Sequence, residues 1–254
     1  MIQVSMEIPT VYLSQWTPFT DLDFILAHKV LEDDEYASFF ANRPSRREVI
    51  LDNSMHELGH PLPVSDLLDA AERVNATYVI PPDRLGEWKR NLDWYEETVD
   101  AFEGTDIRVA PVMCGTSPEE RVYTRHKYKD AHMICLPFRE PRKDWYNEHL
   151  DACIEKRETL WERIHLLGVN EFSELKLFRQ LSDMNLNQVF SVDTAKPIKW
   201  GVEGFSLELM DAGNITARNA KLSSKDLLEL DAVSNDVHVS IMENLSYLKR
   251  VCQW

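Results

Sequence analysis

Glycine and cysteine are both scarce in this sequence. Only 8 of the 254 residues are glycine, and no Gly-x-Gly-x-x-Gly follows an apolar run. A Rossmann domain uses such a loop to bring its backbone close to a dinucleotide phosphate, so the sequence does not favour that domain. The 4 cysteines are far apart and include no Cys-x-x-Cys, which gives no signal of a zinc knuckle or a redox pair.

Positive charge and long hydrophobic runs are scarce as well. Asp and Glu number 43 against 28 Lys and Arg, so the net charge is -15, the opposite of a dedicated non-specific nucleic-acid binder. A local basic groove would still be enough to bind nucleic acid. No run approaches the roughly 18 to 20 apolar residues of a membrane span, and the first residues lack the order of a signal peptide. We therefore expect a cytoplasmic protein with no membrane partner.

What the sequence does contain is a recurring short apolar, β-branched run. Such runs are typical of strands in a parallel sheet that is covered on both faces. They predict strands at residues 9–14, 23–28, 48–52, 77–80, 107–113, 131–136, 164–169 and 188–193. Helical stretches between them begin at Val64 with Ser65 as cap, at Trp88, at Ser117 and at Ser173.

Eight strands that alternate with helices predict an α/β fold, namely a (β/α)8 TIM-like barrel with C-terminal helices. An open doubly wound sheet is the weaker alternative. Because there is no linker or repeat, residues 1–254 are expected to form a single barrel domain, in which 224–254 is a helical extension. The apolar stripe of that extension favours core packing, and a homodimer stays open.

Three of the predicted strands end near an aspartate. Asp52, Asp83 and Asp193 follow the third, fourth and eighth strands, and a barrel carries its active site at the carboxyl ends of its strands. Each Asp could instead cap a helix, but three of them are expected to share one mouth. His28 ends the second strand and is the candidate imidazole there.

These residue types suggest either metal binding or glycosidic chemistry. In the second case one acid attacks C1′ and another handles the proton of the departing base. Metal binding is the weaker choice, because paired ligands such as His-x-His or Asp-x-Asp are absent. His56 and His60 are followed by prolines that predict a loop rather than a helix. No metal site and no cofactor is predicted.

Ordered segments of the chain resemble the tRNA-guanine transglycosylase superfamily over roughly residues 48 to 220. The similar segments are Leu51-Asp52-Asn53-Ser54, Val79-Ile80-Pro81-Pro82-Asp83, Pro111-Val112-Met113-Cys114-Gly115, His165-Leu166-Leu167-Gly168-Val169 and Phe190-Ser191-Val192-Asp193-Thr194. The family's zinc ligands are missing here, and Asn53-Ser54 replaces its Gly-Gly. The chain looks like a short, divergent relative, of the kind that phages use to place 7-deazapurines in DNA.

The resemblance implies a role for each matching residue. Asp193 would be the nucleophile, Asp52 the general acid/base and Asp83 the reader of the purine edge. Met113 stands where the family has a base-reading Gln. The full set of expected substrate contacts is Asp83, Asn53, Met113, Cys114, Gly115 and His28. Phosphate contacts are expected from basic residues that follow strand ends, namely Lys196, Lys199 and Arg139.

The activity implied is base exchange. Guanine in nucleic acid, with DNA favoured over tRNA, would be replaced by a 7-deazaguanine derivative through a covalent bond between Asp193 and C1′, and no cofactor is needed. A phage-encoded protein would do this in the cytoplasm of the host cell. Two alternatives stay open. One is a non-catalytic nucleic-acid-binding partner subunit of degenerate fold, and the other is a hydrolase or transferase that acts on free nucleosides.

Overall fold

Parallel strands alternate with helices along the chain. The computed structural model describes residues 2–44, 47–137, 142, 144–145, 147–148, 151, 161–169, 172–183, 188–211, 224–230 and 232–253. The strands are β1 Ile2–Ser5, β2 Asp23–Leu26, β3 Val49–Asp52, β4 Tyr78–Val79, β5 Arg108–Val109, β6 Met133–Leu136, β7 Arg163–Leu166 and β8 Val189–Asp193. The helices are α1 Leu13–Trp16, α2 Ala27–Glu32, α3 Asp34–Ala41, α4 Met55–Leu58, α5 Val64–Val74, α6 Trp88–Ala101, α7 Pro118–Lys127, α8 Phe172–Asp183, α9 Lys196–Val202, α10 Leu207–Asp211, α11 Ser224–Leu228 and α12 Asn235–Gln253.

The strands form two four-stranded parallel sheets. One has the order β1-β8-β7-β6 and the other the order β2-β3-β4-β5. Backbone hydrogen bonds also connect the two sheets: the Met113 N–H donates to the Cys135 carbonyl (2.9 Å), and the Asp21 N–H donates to the Val4 carbonyl (2.7 Å). The predicted α/β class with parallel strands is confirmed, and closure into one eight-stranded barrel stays a prediction.

The strand predicted at residues 9–14 is wrong. The first strand is β1, and the 9–14 stretch forms a 3-10 turn at Thr10–Tyr12 that leads into α1. Tyr12 and Trp16 are four residues apart, so a helical turn brings their rings together, and they stack with centroids 4.2 Å apart. Each of the other predicted strands overlaps an observed one.

The helix beginnings test the predicted caps. No side chain caps α5, which starts at Val64 directly after Pro63, so the expected Ser65 cap is wrong: Ser65 already lies inside the first turn. Ser117 does cap α7. Its hydroxyl accepts from the Glu120 N–H and the Glu120 carboxylate accepts from the Ser117 N–H, both at 3.2 Å. This reciprocal pair fixes the loop that follows β5.

Buried side chains form two layers around the strands. The inner layer contains Leu22, Phe24, Leu26, Ile50, Tyr78, Ile80, Ala110, Val112, Met133 and Cys135. The outer layer, between strands and helices, takes the alternate residues, such as Ile25 and Leu51. Because Ile50 belongs to the inner layer, Asp52 two residues later points to the same side of β3.

Ion pairs lie at the amino ends of two of the strands. Asp23, at the start of β2, binds Arg43 (3.1 Å) and Arg47 (2.8 Å). Arg163, at the start of β7, binds Glu48 just before β3 (2.6 Å). These ion pairs join β2 and β7 to neighbouring segments at the amino ends of the strands.

The described residues of the 224–254 segment include the helices α11 and α12, so the predicted helical character is found there. In α12 the residues Ile241, Leu245, Leu248 and Cys252 are buried in the outer layer, so its apolar stripe serves the core. In the parts of the chain that the structure describes, no helix combines the length and apolar character needed to cross a membrane.

Candidate active site

Five carboxylates gather at the carboxyl ends of the strands. Asp52 ends β3 and Asp193 ends β8, while Glu7 lies two residues after β1. Asp83 is on the loop after β4, and Glu57 is on α4. Asp52 lies close enough to Glu57, Asp83 and Asp193 to feel the charge of each, and Glu7 feels Glu57, Asp193 and Asp52. The structure therefore brings together the three predicted aspartates and adds two glutamates to them.

Burial and mutual repulsion change how these acids titrate. Burial raises the pKa of Asp52 well above its usual range, and the charge of Glu57 raises it further. The Ser54 N–H, which donates to Asp52 (2.8 Å), opposes that rise. Burial likewise raises the pKa of Glu7, with Glu57 as the next cause and Lys199 opposing. A carboxyl with a raised pKa keeps its proton to a higher pH and can donate it to a leaving group.

The loop after β3 builds the Asp52 and Asp83 side of the site. Ser54 adopts the left-handed conformation (φ 61°), which turns the chain sharply after the strand. The buried Asn53 amide donates to the Pro81 carbonyl and to Asp83, both at 2.7 Å, and its oxygen accepts from the Met55 N–H (2.9 Å). The amide group of Asn53 therefore donates its hydrogen bonds to the loop after β4. It positions Asp83 instead of touching a substrate itself.

Asp83 is not a helix cap. The helix that follows, α6, begins at Trp88 with Glu87 in the cap position, so Asp83 lies outside it. Burial raises the pKa of Asp83, and the hydrogen bond from Asn53 lowers it. A carboxylate fixed by one buried amide and directed at the mouth is suited to accept hydrogen bonds from a bound ligand.

Asp193 sits in a preformed polar cradle and is only 4% exposed. Its Oδ1 accepts from the Gly168 N–H (2.9 Å) and lies 3.3 Å from Nε2 of His165. His165 on β7 is fully buried, its Nδ1 is 2.8 Å from the Ser191 hydroxyl, and its ring stacks on Phe24. The cradle therefore anchors Oδ1 of the Asp193 carboxylate.

Sequence reasoning missed three of these groups. Glu7 was overlooked because the first strand was placed at residues 9–14, which left Glu7 outside any strand end. Glu57 follows a sharp turn for which the sequence contains no recognisable turn motif. His165 carried a usable signal, since it is a single polar residue inside an apolar strand and therefore needs a buried partner.

Three predicted substrate contacts turn out to be packing positions. The Met113 side chain is buried in the outer layer, on the helix side of its strand. The Cys114 thiol lies 3.8 Å from the Tyr128 hydroxyl, also toward the helices. Gly115 (φ 110°) approaches α7 so closely that a Cβ would lie 3.0 Å from the Arg121 nitrogen. The structure explains all three without a ligand.

The remaining predicted contacts are distributed differently from expectation. His28 is buried beside the loop after β3, where its backbone N–H donates to the Ser54 hydroxyl (3.1 Å), and burial lowers its pKa. Lys199 faces Glu7 and Glu57, whose charges raise its pKa against the larger lowering effect of burial. Lys196 begins α9, with its N–H donating to the Thr194 hydroxyl (3.2 Å). Arg139 lies outside the described residues.

The acid cluster does not have the arrangement of a metal site. Among the described residues, no group of three or more His, Cys, Asp or Glu side chains is placed to hold a metal ion. One oxygen of Glu7 and one of Glu57 are buried without a hydrogen-bond partner in that part of the chain. Their raised pKa values provide the alternative to ligation, since a protonated carboxyl is neutral and avoids the repulsion.

Glu7→Gln should make the protein more stable at neutral and alkaline pH. The folded state raises the pKa of Glu7 above its unfolded value of about 4.3. Below that pH both states hold the proton. Between that pH and the folded pKa the unfolded state loses its proton first, so stability falls over this range by about 1.4 kcal/mol per unit of pKa elevation. Glutamine removes this penalty, so the melting temperature of the variant should exceed the wild-type value by a margin that grows over this pH range and is constant above it.

The matched control for Glu7 is Glu35→Gln, which changes an exposed acid on α3. Thermal unfolding of the three proteins between pH 4 and pH 9 makes the comparison. A Glu7→Gln margin that does not change with pH, or that matches the Glu35→Gln margin, would show that burial and repulsion at the mouth do not penalise ionised Glu7.

The fold and the mouth define an α/β protein with parallel strands and a carboxylate-lined opening at their carboxyl ends. No protein-family model and no curated protein matches the chain. A solved structure described as the YdjI aldolase from Escherichia coli K12 is similar, with a TM-score of 0.55 and 9% sequence identity. The similarity covers 99% of this chain and 91% of that one. At this identity the likeness concerns the fold alone.

Proposed function

We propose that the protein is a base-exchange transglycosylase that replaces guanine in nucleic acid, DNA rather than tRNA, with a 7-deazaguanine derivative. The observation that carries the proposal is the pair of carboxyl groups at the ends of β3 and β8. Asp193 is anchored by the Gly168 N–H, and burial favours the protonated form of Asp52.

We also propose that the two sheets close into one (β/α)8 barrel, supported by the hydrogen bonds that join them beyond β5 and before β2.

The first displacement uses the two aspartates in opposite roles. An oxygen of Asp193 forms a bond to C1′ of the target nucleotide as the C1′–N9 bond breaks, and the electron pair leaves with guanine. Asp52 gives its proton to that guanine, which departs neutral. The sugar is then held as an ester of Asp193.

The second displacement reverses these roles. Asp52, now ionised, takes the N9 proton of the incoming 7-deazaguanine, whose N9 forms the new bond to C1′. The C1′–Asp193 bond breaks and restores the carboxylate. Two inversions keep the sugar configuration, and no group outside the chain has to supply an electron pair or a proton.

Asp83→Ala should weaken binding of the purine base much more than it weakens the fold. The carboxylate is held by Asn53 and can accept from two base donors, an arrangement worth a few kcal/mol, which corresponds to a loss of affinity of at least about tenfold. Calorimetric titration with guanine and with a 7-deazaguanine measures this loss. Thermal unfolding provides the comparison, and a large loss of stability with unchanged base affinity would assign Asp83 a structural role only.

Trapping of the ester tests the proposed reaction. The protein is incubated with guanine-containing DNA or tRNA and a 7-deazaguanine, denatured, and run on a gel that retains covalent adducts. We expect an adduct with DNA and incorporation of mass-tagged deazaguanine into the same DNA. Tight binding of DNA without adduct or incorporation would favour a non-catalytic partner subunit.

A second candidate function is base exchange or hydrolysis on free nucleosides. The observation in its favour is that Lys199, one of the cations expected to contact phosphates, faces Glu7 and Glu57 instead. An acidic mouth suits an uncharged nucleoside better than a phosphodiester. Turnover of guanosine or deoxyguanosine, with none on DNA or tRNA, would support this function over the first.

A further inference from the structure

A basic and aromatic surface adjoins the mouth on the side of Asp83. It is formed by the loop after β4 and the first two turns of α6, and its members are Arg84, Leu85, Trp88, Lys89, Arg90 and Trp94, named here the α6 entry surface. Asn91 ties the loop to the helix: its oxygen accepts from the Arg84 N–H (2.9 Å) and its amide donates to the Arg84 carbonyl (3.1 Å). The surface is therefore fixed directly beside the residue proposed to read the base.

Two of the three cations of this surface lie against indole rings. The Lys89 ammonium is 5.5 Å from the centroid of the Trp88 ring, and the Arg90 guanidinium is 4.4 Å from that of Trp94. The Arg90 and Arg84 side chains are 59% and 50% exposed. Lysine and arginine held in this way keep their hydrogen-bond donors directed outward, where they can meet phosphate oxygens.

Two acids, Glu87 and Asp93, lie in the same segment as the three cations. Glu87 lies 3.3 Å from Arg84 and 3.6 Å from Arg90, in exposed ion pairs of the kind that contribute at most about 1 kcal/mol. These pairs can exchange for phosphates at little cost. Residues 84–94 thus carry three positive and two negative charges, a balance of +1 in a chain whose net charge is -15.

Leu85 adds an apolar group at the tip of the loop. Its side chain is 63% exposed and stands two residues after Asp83, next to Arg84. A nucleotide whose base leaves its stack exposes the face of the neighbouring base, and proteins often cover such a face with an apolar side chain. Leu85 is placed to make that contact while the target base occupies the mouth.

We propose that the α6 entry surface binds the nucleic-acid strand that flanks the target nucleotide. Lys89 and Arg90 contact its phosphates and Leu85 contacts the adjacent base. This inference rests on the proposed function only in taking a polynucleotide as the substrate. It also differs from the sequence prediction, which placed the phosphate contacts after β6 and β8.

The test is a charge-reversal pair with a matched control. Lys89→Glu with Arg90→Glu reverses the surface. Lys249→Glu with Arg250→Glu makes the same change at an adjacent Lys-Arg pair on α12. There Arg250, like Arg90, faces an acid and lies over an aromatic ring, and Lys249 faces Asp21. Both variants are checked for folding by thermal unfolding. Binding of a fluorescein-labelled single DNA strand that carries one guanine is then followed over a range of salt concentrations.

We expect the entry-surface pair to lower affinity at least about tenfold at low salt. The slope of log affinity against log salt should fall by about 1.4, because each phosphate contact on a single strand contributes about 0.7. The α12 pair should change both quantities much less. Equal losses in the two variants, or an unchanged slope in the first, would overturn the proposal.

Leu85→Ala separates the base contact from the phosphate contacts. We expect about a fivefold loss of affinity with an unchanged salt slope, since an apolar contact releases no counterions. Leu209→Ala, another exposed leucine, is the control. Unchanged binding in Leu85→Ala would remove Leu85 from the proposed site.

Different results would contradict the proposed binding surface and the proposed catalytic function. A wild-type protein that binds the strand through this surface but exchanges no base would overturn the proposed function and leave the surface assigned. A wild-type protein that exchanges bases on free nucleosides and does not bind the strand would overturn the surface and leave the chemistry of Asp193 intact.

Discussion

Asp193→Asn should abolish base exchange while the fold persists. The amide oxygen cannot act as the anionic nucleophile, so no ester with C1′ forms, and the rate should fall by at least about 10³-fold. The fold should survive because asparagine keeps an oxygen to accept from the Gly168 N–H and because it introduces no change in size. The variant also loses a carboxylate from a crowded group of acids, which removes repulsion felt by Glu7 and Asp52.

Exchange of labelled guanine in DNA measures this loss, and Asp52→Asn is the informative comparison. Removing the proton donor should slow exchange by about 10²- to 10⁴-fold and should still permit a small yield of adduct. Since the first displacement needs Asp52 protonated, wild-type exchange should decline as the pH rises past the elevated pKa of Asp52, and this decline should be absent in Asp52→Asn. Normal exchange by Asp193→Asn would refute the covalent mechanism.

The strands that carry the site could be predicted because they are buried on both faces. Such strands appear as apolar runs, and the polar residue that ends each run marks the exit of the chain from the sheet. Asp52 and Asp193 are found in this way. Ile2–Ser5 alternates apolar and polar residues instead of forming a continuous apolar run. The apolar residues at 9–14 therefore gave the stronger strand signal, although Tyr12 and Trp16 have helical spacing.

The loops could not be predicted because their geometry depends on partners that are distant in sequence. Asn53 joins Asp83 across 30 positions, and the Ser54 turn needs a positive φ that only tertiary contacts enforce on a serine. Met113 illustrates the effect of register. Val112 pairs with Cys135 in the inner layer, so its neighbour must point outward to the helices. A shift of one residue decides whether a side chain faces a substrate or the core.

The close contact between α9 and α12 also could not be inferred from sequence, and it predicts the second large effect. Gly201→Ala should destabilise the protein by about 2 kcal/mol. A Cβ at this position would lie 2.5 Å from Ile241 Cγ1, 2.7 Å from Ile241 Cα and 2.8 Å from Ile241 N. Side-chain rotation can relieve only the first of these contacts, so the two helices must move apart.

The sign of the stability change shows whether helix propensity or overpacking dominates at this position. Gly201 lies within a helix, where replacing glycine by alanine normally stabilises by about 1 kcal/mol. Overpacking of a buried contact costs about 1–3 kcal/mol and occasionally more, and here two of the opposing atoms belong to the backbone. We take about 3 kcal/mol for this cost, which exceeds the propensity gain. The expected lowering of the melting temperature is about 4–8 °C.

Gly59→Ala is the control for Gly201→Ala, because Gly59 has a positive φ of 75° and nothing within 4 Å of its would-be Cβ. The stability of Gly59→Ala should fall only by the cost of backbone strain, about 1 kcal/mol.

Ile241→Ala removes the nearest of the three atoms, so adding it to Gly201→Ala should cost less than the sum of the single changes. Since α9 starts three residues after Asp193, the displaced helix should also move Lys199 relative to Glu7. A Gly201→Ala protein as stable as wild type would mean that the two helices separate freely at this contact.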